Sequence, residues 1–480
     1  MLGTIIKKEI LENILSFRFV LFLLICAILI PLAMYVNDVG YQKNLRDYDE
    51  QLRLANQDAS TLQMGDLMGG RVHLKGFRHP SALSVIAQGL ENILPRYYEF
   101  NQDGYKQGDA SVAEQSTLSA QGKLDFSFII QIIISLIVML FASDVISGEK
   151  ELGTLRVTLS NSLPRDILLL GKLIGGYLSV WIPFTIAFIV GALMLVIRSF
   201  PVFAPEIGMK FVLIFFLSSI FIFAYFVIGM MVSASSIRSR TALVAILLGW
   251  AFLQLIVPKA SDMIASAIYP VRTETAISLQ TSLLTNSLET EKAKEKGREY
   301  VAIMGGMEAM NNQQQDSPQQ ARWNEVEKQI DQKYADEKAR RMAEITEGHA
   351  REKKVQESIA LGLSLISPSA AFYHIITDMC GTGELAKSKY IDAVKQHQNS
   401  LESAVFSSVK RTMMTTPDGK TMMRFSAQPV DFKTLPNFSI PGITAGEIFK
   451  DNLANMLSIV FWMIVPFGIA YVRFLKYDVR

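Results

Sequence analysis

Glu149, Lys150 and Glu151 stand in a row inside a short polar stretch, residues 143–172, set between two runs of almost pure hydrocarbon. Arg156, Arg165 and Asp166 lie in the same stretch. Gly148 and Gly153 bracket the three adjacent charges, which makes a helix-sized charged surface suited to recognition by another macromolecule. Asp144 closes the run before it. Pro164 suits the first turn of a new helix with Ser162 as its cap, and Gly171-Lys172 leads back into hydrocarbon. One reading is an ordinary polar loop whose charges anchor at a membrane interface. The other is a helical hairpin stiff enough to transmit a push.

Other chemistry-bearing residues form weaker patterns. The run GTGELAKS, residues 381–388, resembles a phosphate-binding loop, but Ala386 occupies the position where glycine lets backbone approach phosphate. The residues before it read as helix where a buried strand is required, so a turn capping a helix is expected. Ser364, His374 and Asp378 are close only along the chain, and a catalytic triad is a matter of geometry. No enzymatic role is expected. Five histidines without zinc spacing predict no metal site, and Cys26 and Cys380 are too differently placed to suggest a disulfide framework. A net charge of +2 excludes the global field of a nucleic-acid binder.

The elements that position these residues follow from the apolar half of the composition, 50%, which is gathered into long runs instead of being spread through soluble domains. Six runs read as membrane spans, 17–36, 126–142, 173–196, 211–232, 241–257 and 453–472, the first long enough to cross ~30 Å of hydrocarbon. Pro258 is expected to end the fifth. Before the first run, residues 1–16 place Leu2, Ile6, Ile10 and Ile14 four apart, with Lys8, Glu9 and Glu12 roughly opposite. That predicts an amphipathic helix lying in the interface. No small-x-small site follows Pro31, so the first run reads as an uncleaved anchor.

No span carries an acid or base near its middle. Gln131 and Gln254 are the most polar residues there, fitting either hydrogen bonds between helices or the lining of a substrate route. Without an intramembrane carboxylate, histidine or lysine, ion-coupled transport is disfavoured, and the driving force is expected from outside the chain. Basic residues at the span ends set the orientation: Lys7, Lys8 and Arg18, then Arg238 and Arg240, then Arg473, Lys476 and Arg480. These ends, both termini and residues 143–172 are expected in the cytoplasm. Residues 37–125 and 258–451 then form extracytoplasmic domains. The first is mixed and polar. The second holds a helical hairpin, followed by turns and extended pieces around TTPDGK.

The run DVISGEKELGTL, residues 144–155, followed by LSNSLPR and LLGK, resembles the signature of permease subunits of ATP-binding-cassette (ABC) exporters with six spans. KKEILENILSFRF resembles that family's opening, and HPSALSVIAQGLENILP, residues 79–95, resembles a subgroup with large extracytoplasmic insertions. The resemblance implies an all-α polytopic membrane protein of the bacterial cytoplasmic (inner) membrane, permease half of an ABC exporter. It implies that Glu149, Lys150, Glu151, Gly153, Thr154 and Arg156 form the coupling helix against an ATPase. Lys7, Lys8 and Glu9 would make a second contact. The implied partners are separate ABC ATPase subunits, a second permease copy (identical or related) and membrane lipid. This chain would bind no cofactor, ATP-Mg belonging to the ATPase. An alternative is a mechanotransmission or assembly subunit that works on a periplasmic partner and moves no cargo.

Overall fold

The computed structural model describes residues 2–61, 74–101, 104–108, 124–160, 164–304, 318–404, 409–415, 421–427 and 436–477. Among the described residues, six helices are long and apolar enough to cross a membrane: Phe17–Gln57, Phe126–Leu152, Arg165–Ile197, Pro205–Ser235, Ser239–Ile268 and Leu453–Leu475. The all-α polytopic class expected from the sequence is therefore borne out. Among the described residues, the short strands lie in the segments between spans.

The chain divides into two units. The first, Met1–Ile256 with Leu365–Arg480, holds most of the spanning helices. It opens with α1 (Leu2–Ile14) and α2 (Phe17–Thr61). In α2, Phe22, Cys26 and Ile30 are buried every fourth residue, while Leu24, Ile28 and Leu32 are exposed on the other side. One stripe packs on protein and the other suits lipid, as a helix of period 3.6 requires. The helix does not stop where its hydrocarbon does. At 45 residues it is about 68 Å long, far beyond a ~30 Å core. Tyr41 keeps it ordered by packing edge-on against Phe200 at 6.0 Å, and Tyr48 does the same against His79 at 5.0 Å.

The second span combines α3 (Phe126–Phe128), a π-helical segment at Ile129–Ile134 and α4 (Ser135–Ala142); after a break at 143–146 the chain continues as α5 (Ser147–Leu152), the end of the long apolar helix. After α6 (Thr154–Ser160) come α7 (Arg165–Ile197), α8 (Pro205–Ser235) and α9 (Ser239–Ala251). A second π segment, Phe252–Ile256, follows α9. Helix resumes directly as α10 (Val257–Ile268), so Pro258 does not end it. A proline lacks an N–H and crowds the carbonyl one turn back, and the wider π turn is a place where both are tolerated.

The second unit, Val257–Ser364, contains α10, α11 (Glu274–Met304) and α12 (Pro318–Ser364). The last two form the expected antiparallel hairpin. Lys296 bridges Glu327 and Asp331, Lys333 bridges Glu295, and Trp323 meets Tyr300 edge-on at 5.1 Å.

The rest of the first unit comprises α13 (Pro368–Cys380), α14 (Glu384–Ala404), α15 (Ala445–Asp451) and the last span, α16 (Leu453–Leu475). Strands β1 (Leu74–Phe77), β2 (Tyr97–Asn101) and β3 (Gly104–Gln107) pair antiparallel in that order, and β4 (Val409–Thr415) pairs with β5 (Thr421–Ala427). The tight turn expected at Pro417–Gly419 and the cap expected at Ser162 lie outside the described residues.

Two sequence stretches far apart meet between the spans. Thr382 accepts the Leu90 N–H on its carbonyl at 2.7 Å and donates its hydroxyl to the Ala87 carbonyl at 2.9 Å. Residues 381–388, which mimic a phosphate loop, therefore cap a helix: Gly381 ends α13 in the left-handed region at φ 69°. Asp125 accepts from the Gln88 and Phe128 N–H groups, and Asn452 at the start of the last span donates to Asp378 at 2.8 Å. Burial raises the pKa of both aspartates above the ordinary carboxylate range.

Candidate coupling site

The segment between the second and third spans is built from two short helices at one end of the bundle. The second span leaves helical geometry at 143–146 and resumes as α5. A helix start leaves orphan N–H groups, and here a neighbouring span satisfies them. Ser233 of α8 accepts from the N–H of Ile146 at 3.1 Å and of Ser147 at 3.0 Å. Gly153 ends α5 at φ 74°, a left-handed conformation that costs glycine nothing, and a Cβ there would meet no atom within 4 Å. The glycine is needed for the backbone turn, since space is free. Leu155 of α6 then inserts fully into the core.

The three adjacent charges do not share a surface. Glu149 turns inward and accepts from Lys172 of α7 at 2.7 Å. The Lys150 ammonium donates to the Ala234 and Ser236 carbonyls at the C-terminal end of α8, where a cation complements the helix dipole. It also lies 5.2 Å over the Tyr477 ring. Glu151 accepts the Ser239 N–H at 2.9 Å, at the N-terminal end of α9, where a carboxylate is favoured. Each charge thus fastens the segment to a different membrane helix.

Glu151 stays exposed while it does so, and large apolar side chains share the outer face with it. Leu152 is 79% exposed and Val157 66% exposed, on either side of the Gly153 turn, with Arg156 exposed beside them. Of the residues expected to make a second contact, Lys7 and Lys8 are exposed on α1, whereas Glu9 is buried against Lys172 at 2.8 Å. Lys172 was legible only as a point of membrane re-entry. Its role as the residue that gathers Glu9 and Glu149 was missed, although adjacent glycine and lysine at a span start were on view. Arg165 reaches the Leu475 and Tyr477 carbonyls, so the C-terminal residues join the same end of the bundle.

The two glutamines sit on the two π segments. Gln254 is buried and its side-chain oxygen accepts the Tyr225 hydroxyl at 2.9 Å, a bond between the fifth and fourth spans. Gln131 is half-buried, and its side-chain nitrogen is buried without a hydrogen-bond partner. Trp250 ties their spans together by donating to the Ser135 hydroxyl at 2.9 Å. Among the described residues, no group of histidine, cysteine or carboxylate side chains is arranged to hold a metal ion.

Six apolar helices, with an N-terminal helix and a braced polar segment at one end, fit the membrane domain of a permease. The chain matches the family described as ABC-2 family transporter protein over residues 3–479, nearly its whole length, and belongs to that family. It is therefore a membrane permease component of an ABC transporter, and the family implies ATPase partner subunits. No curated protein matches it.

Proposed function

We propose that this permease works in an exporter driven by separate ATPase subunits that press on residues 147–160. The observation that carries this reading is the division of labour in that segment. Glu149, Lys150 and Glu151 hold it to three membrane helices, while Leu152, Arg156 and Val157 face outward beside the exposed Glu151, with Gly153 and Thr154 between them. A push on such an outer face is delivered to the third, fourth and fifth spans at once. Lys7 and Lys8 give α1 an exposed basic edge for a second contact.

In this reading the termini and the segment lie in the cytoplasm of a bacterial inner membrane, ATP-Mg binds only the ATPase, and two permease copies enclose the route. Gln131 and Gln254 line that route or stiffen its walls. The test is co-purification of the ATPase with the full chain. Leu152→Asp and Val157→Asp are expected to abolish association, whereas undiminished association and ATP turnover in both variants would sink the proposal.

A second reading has its own support in the joint between the outer segments and the span ends. Gln88 donates to Asn37 at 2.6 Å and Asn452 donates to Asp378, so span movement reaches the segments between them. A mechanotransmission subunit would use that movement on a periplasmic partner. Sustained ATP hydrolysis in a reconstituted complex that moves none of a panel of lipids, amphiphiles and peptides would favour it.

A further inference from the structure

Lys172 lies about two turns into α7, and its side chain is 2% exposed. Its ammonium donates to Glu9 Oε1 at 2.8 Å and Glu149 Oε1 at 2.7 Å. Those carboxylates come from α1 and α5, so three separate elements each supply one charge. The other Glu149 oxygen is buried without a hydrogen-bond partner, and Lys8 stands 4.0 Å from Oε1. Lys172 is thus the principal partner of Glu149.

The backbone around this lysine is also shaped for the contact. Gly171 and Gly175 lie one turn apart on the face that meets α1. A Cβ on Gly171 would stand 2.5 Å from Ile5 Cγ2, and one on Gly175 would stand 3.1 Å from the Ile6 carbonyl oxygen. The two helices therefore meet almost backbone to backbone, with the charges beside the line of contact. A buried ion group adds little net stability over a well-packed apolar set, because desolvation offsets the attraction. What it does supply is register, since each charge has one place in which it is satisfied.

We propose that Lys172 is the pin of a three-way joint that makes α1, the 147–160 segment and the third span move as one body. It rests on the reading above, in which an ATPase pushes that segment. Lys172 acts through its neighbours and is a positioning residue. The N-terminal helix is then part of the moving lever, and the third span receives the push through a single buried ammonium.

The test is a pair of distances measured by electron-spin labelling of the full chain in lipid nanodiscs. Cysteines are introduced at Leu11 and Ser160 for one pair, and at Leu11 and Leu170 for the other. Cys26 and Cys380 are buried, and the chain without introduced cysteines is the labelling control. One narrow distance is expected for each pair in the parent chain. Glu149→Leu should at least double the width of the 11–160 distribution and leave 11–170 unchanged, because Lys172 keeps Glu9. A general loss of packing would broaden both. Lys172→Met should broaden both; if it fails to assemble, Glu149→Leu carries the test alone. Unchanged 11–160 width in Glu149→Leu overturns the pin.

In the complex with its ATPase, adding ATP and Mg2+ should leave the 11–160 distance fixed in the parent and change it in Glu149→Leu. A change in the parent also overturns the pin. Failure of the ATPase to associate with the parent chain would defeat the reading above, while the distances in the free chain still decide the joint.

Discussion

Gly175 of the third span sits directly beneath Glu9: a Cβ built on the glycine would stand 2.7 Å from the Glu9 Cβ. That approach brings the Glu9 carboxylate down to Lys172 and seats the N-terminal helix on the membrane domain. Gly175→Val should lift α1 away, at a cost of about 1–3 kcal/mol for an overpacked contact. Faster hydrogen exchange across residues 2–14, with exchange in α8 unchanged, is the expected result.

Ser233 has a simpler role with a larger consequence. Its hydroxyl oxygen accepts two backbone N–H groups at the start of α5, and Ser233→Ala leaves both buried and unpaired. Each such group costs about 1–3 kcal/mol. Exchange of residues 147–152 should accelerate by more than an order of magnitude, and ATPase stimulation in the complex should fall with it.

The two glutamines should respond oppositely to the same substitution. Gln254→Leu strands the buried Tyr225 hydroxyl and should destabilise the protein by about 1–3 kcal/mol, read as a lower Tm in detergent. Gln131→Leu removes a donor that has no partner, so an unchanged or higher Tm is expected.

Glu447 provides a pH signature. Lys389 at 2.7 Å, with the Thr444 N–H and hydroxyl, holds its carboxyl down at about 2, from an ordinary 4.5. A depressed carboxyl contributes stability above its unfolded pKa and loses it as pH falls toward its folded one. The stability difference between wild type and Glu447→Gln should be constant above about pH 5 and shrink between 4.5 and about 2. Unfolding followed at several pH values, at low and high salt, checks it.

Much of the architecture was present in one dimension. Lipid demands long apolar helices whatever their neighbours, so residues 17–36, 126–142 and the other runs declared themselves by composition alone. The α11–α12 hairpin was equally visible, because its periodicity is local. Helix ends were less so. Asn37 and Pro258 looked like boundaries, yet α2 runs on because Tyr41 and Tyr48 find aromatic partners far away in sequence, and helix continues past Pro258 after a π segment.

For Glu149, Lys150 and Glu151, the sequence by itself determined that three charges lie between two apolar runs in a short polar stretch. It presented them as one surface, because adjacent residues look equivalent along a chain. Only the tertiary structure sent them apart, to Lys172, to the carbonyls ending α8 and to the Ser239 N–H. The reason is that a helix places neighbouring side chains about 100° apart, so their partners depend on which helices stand around it.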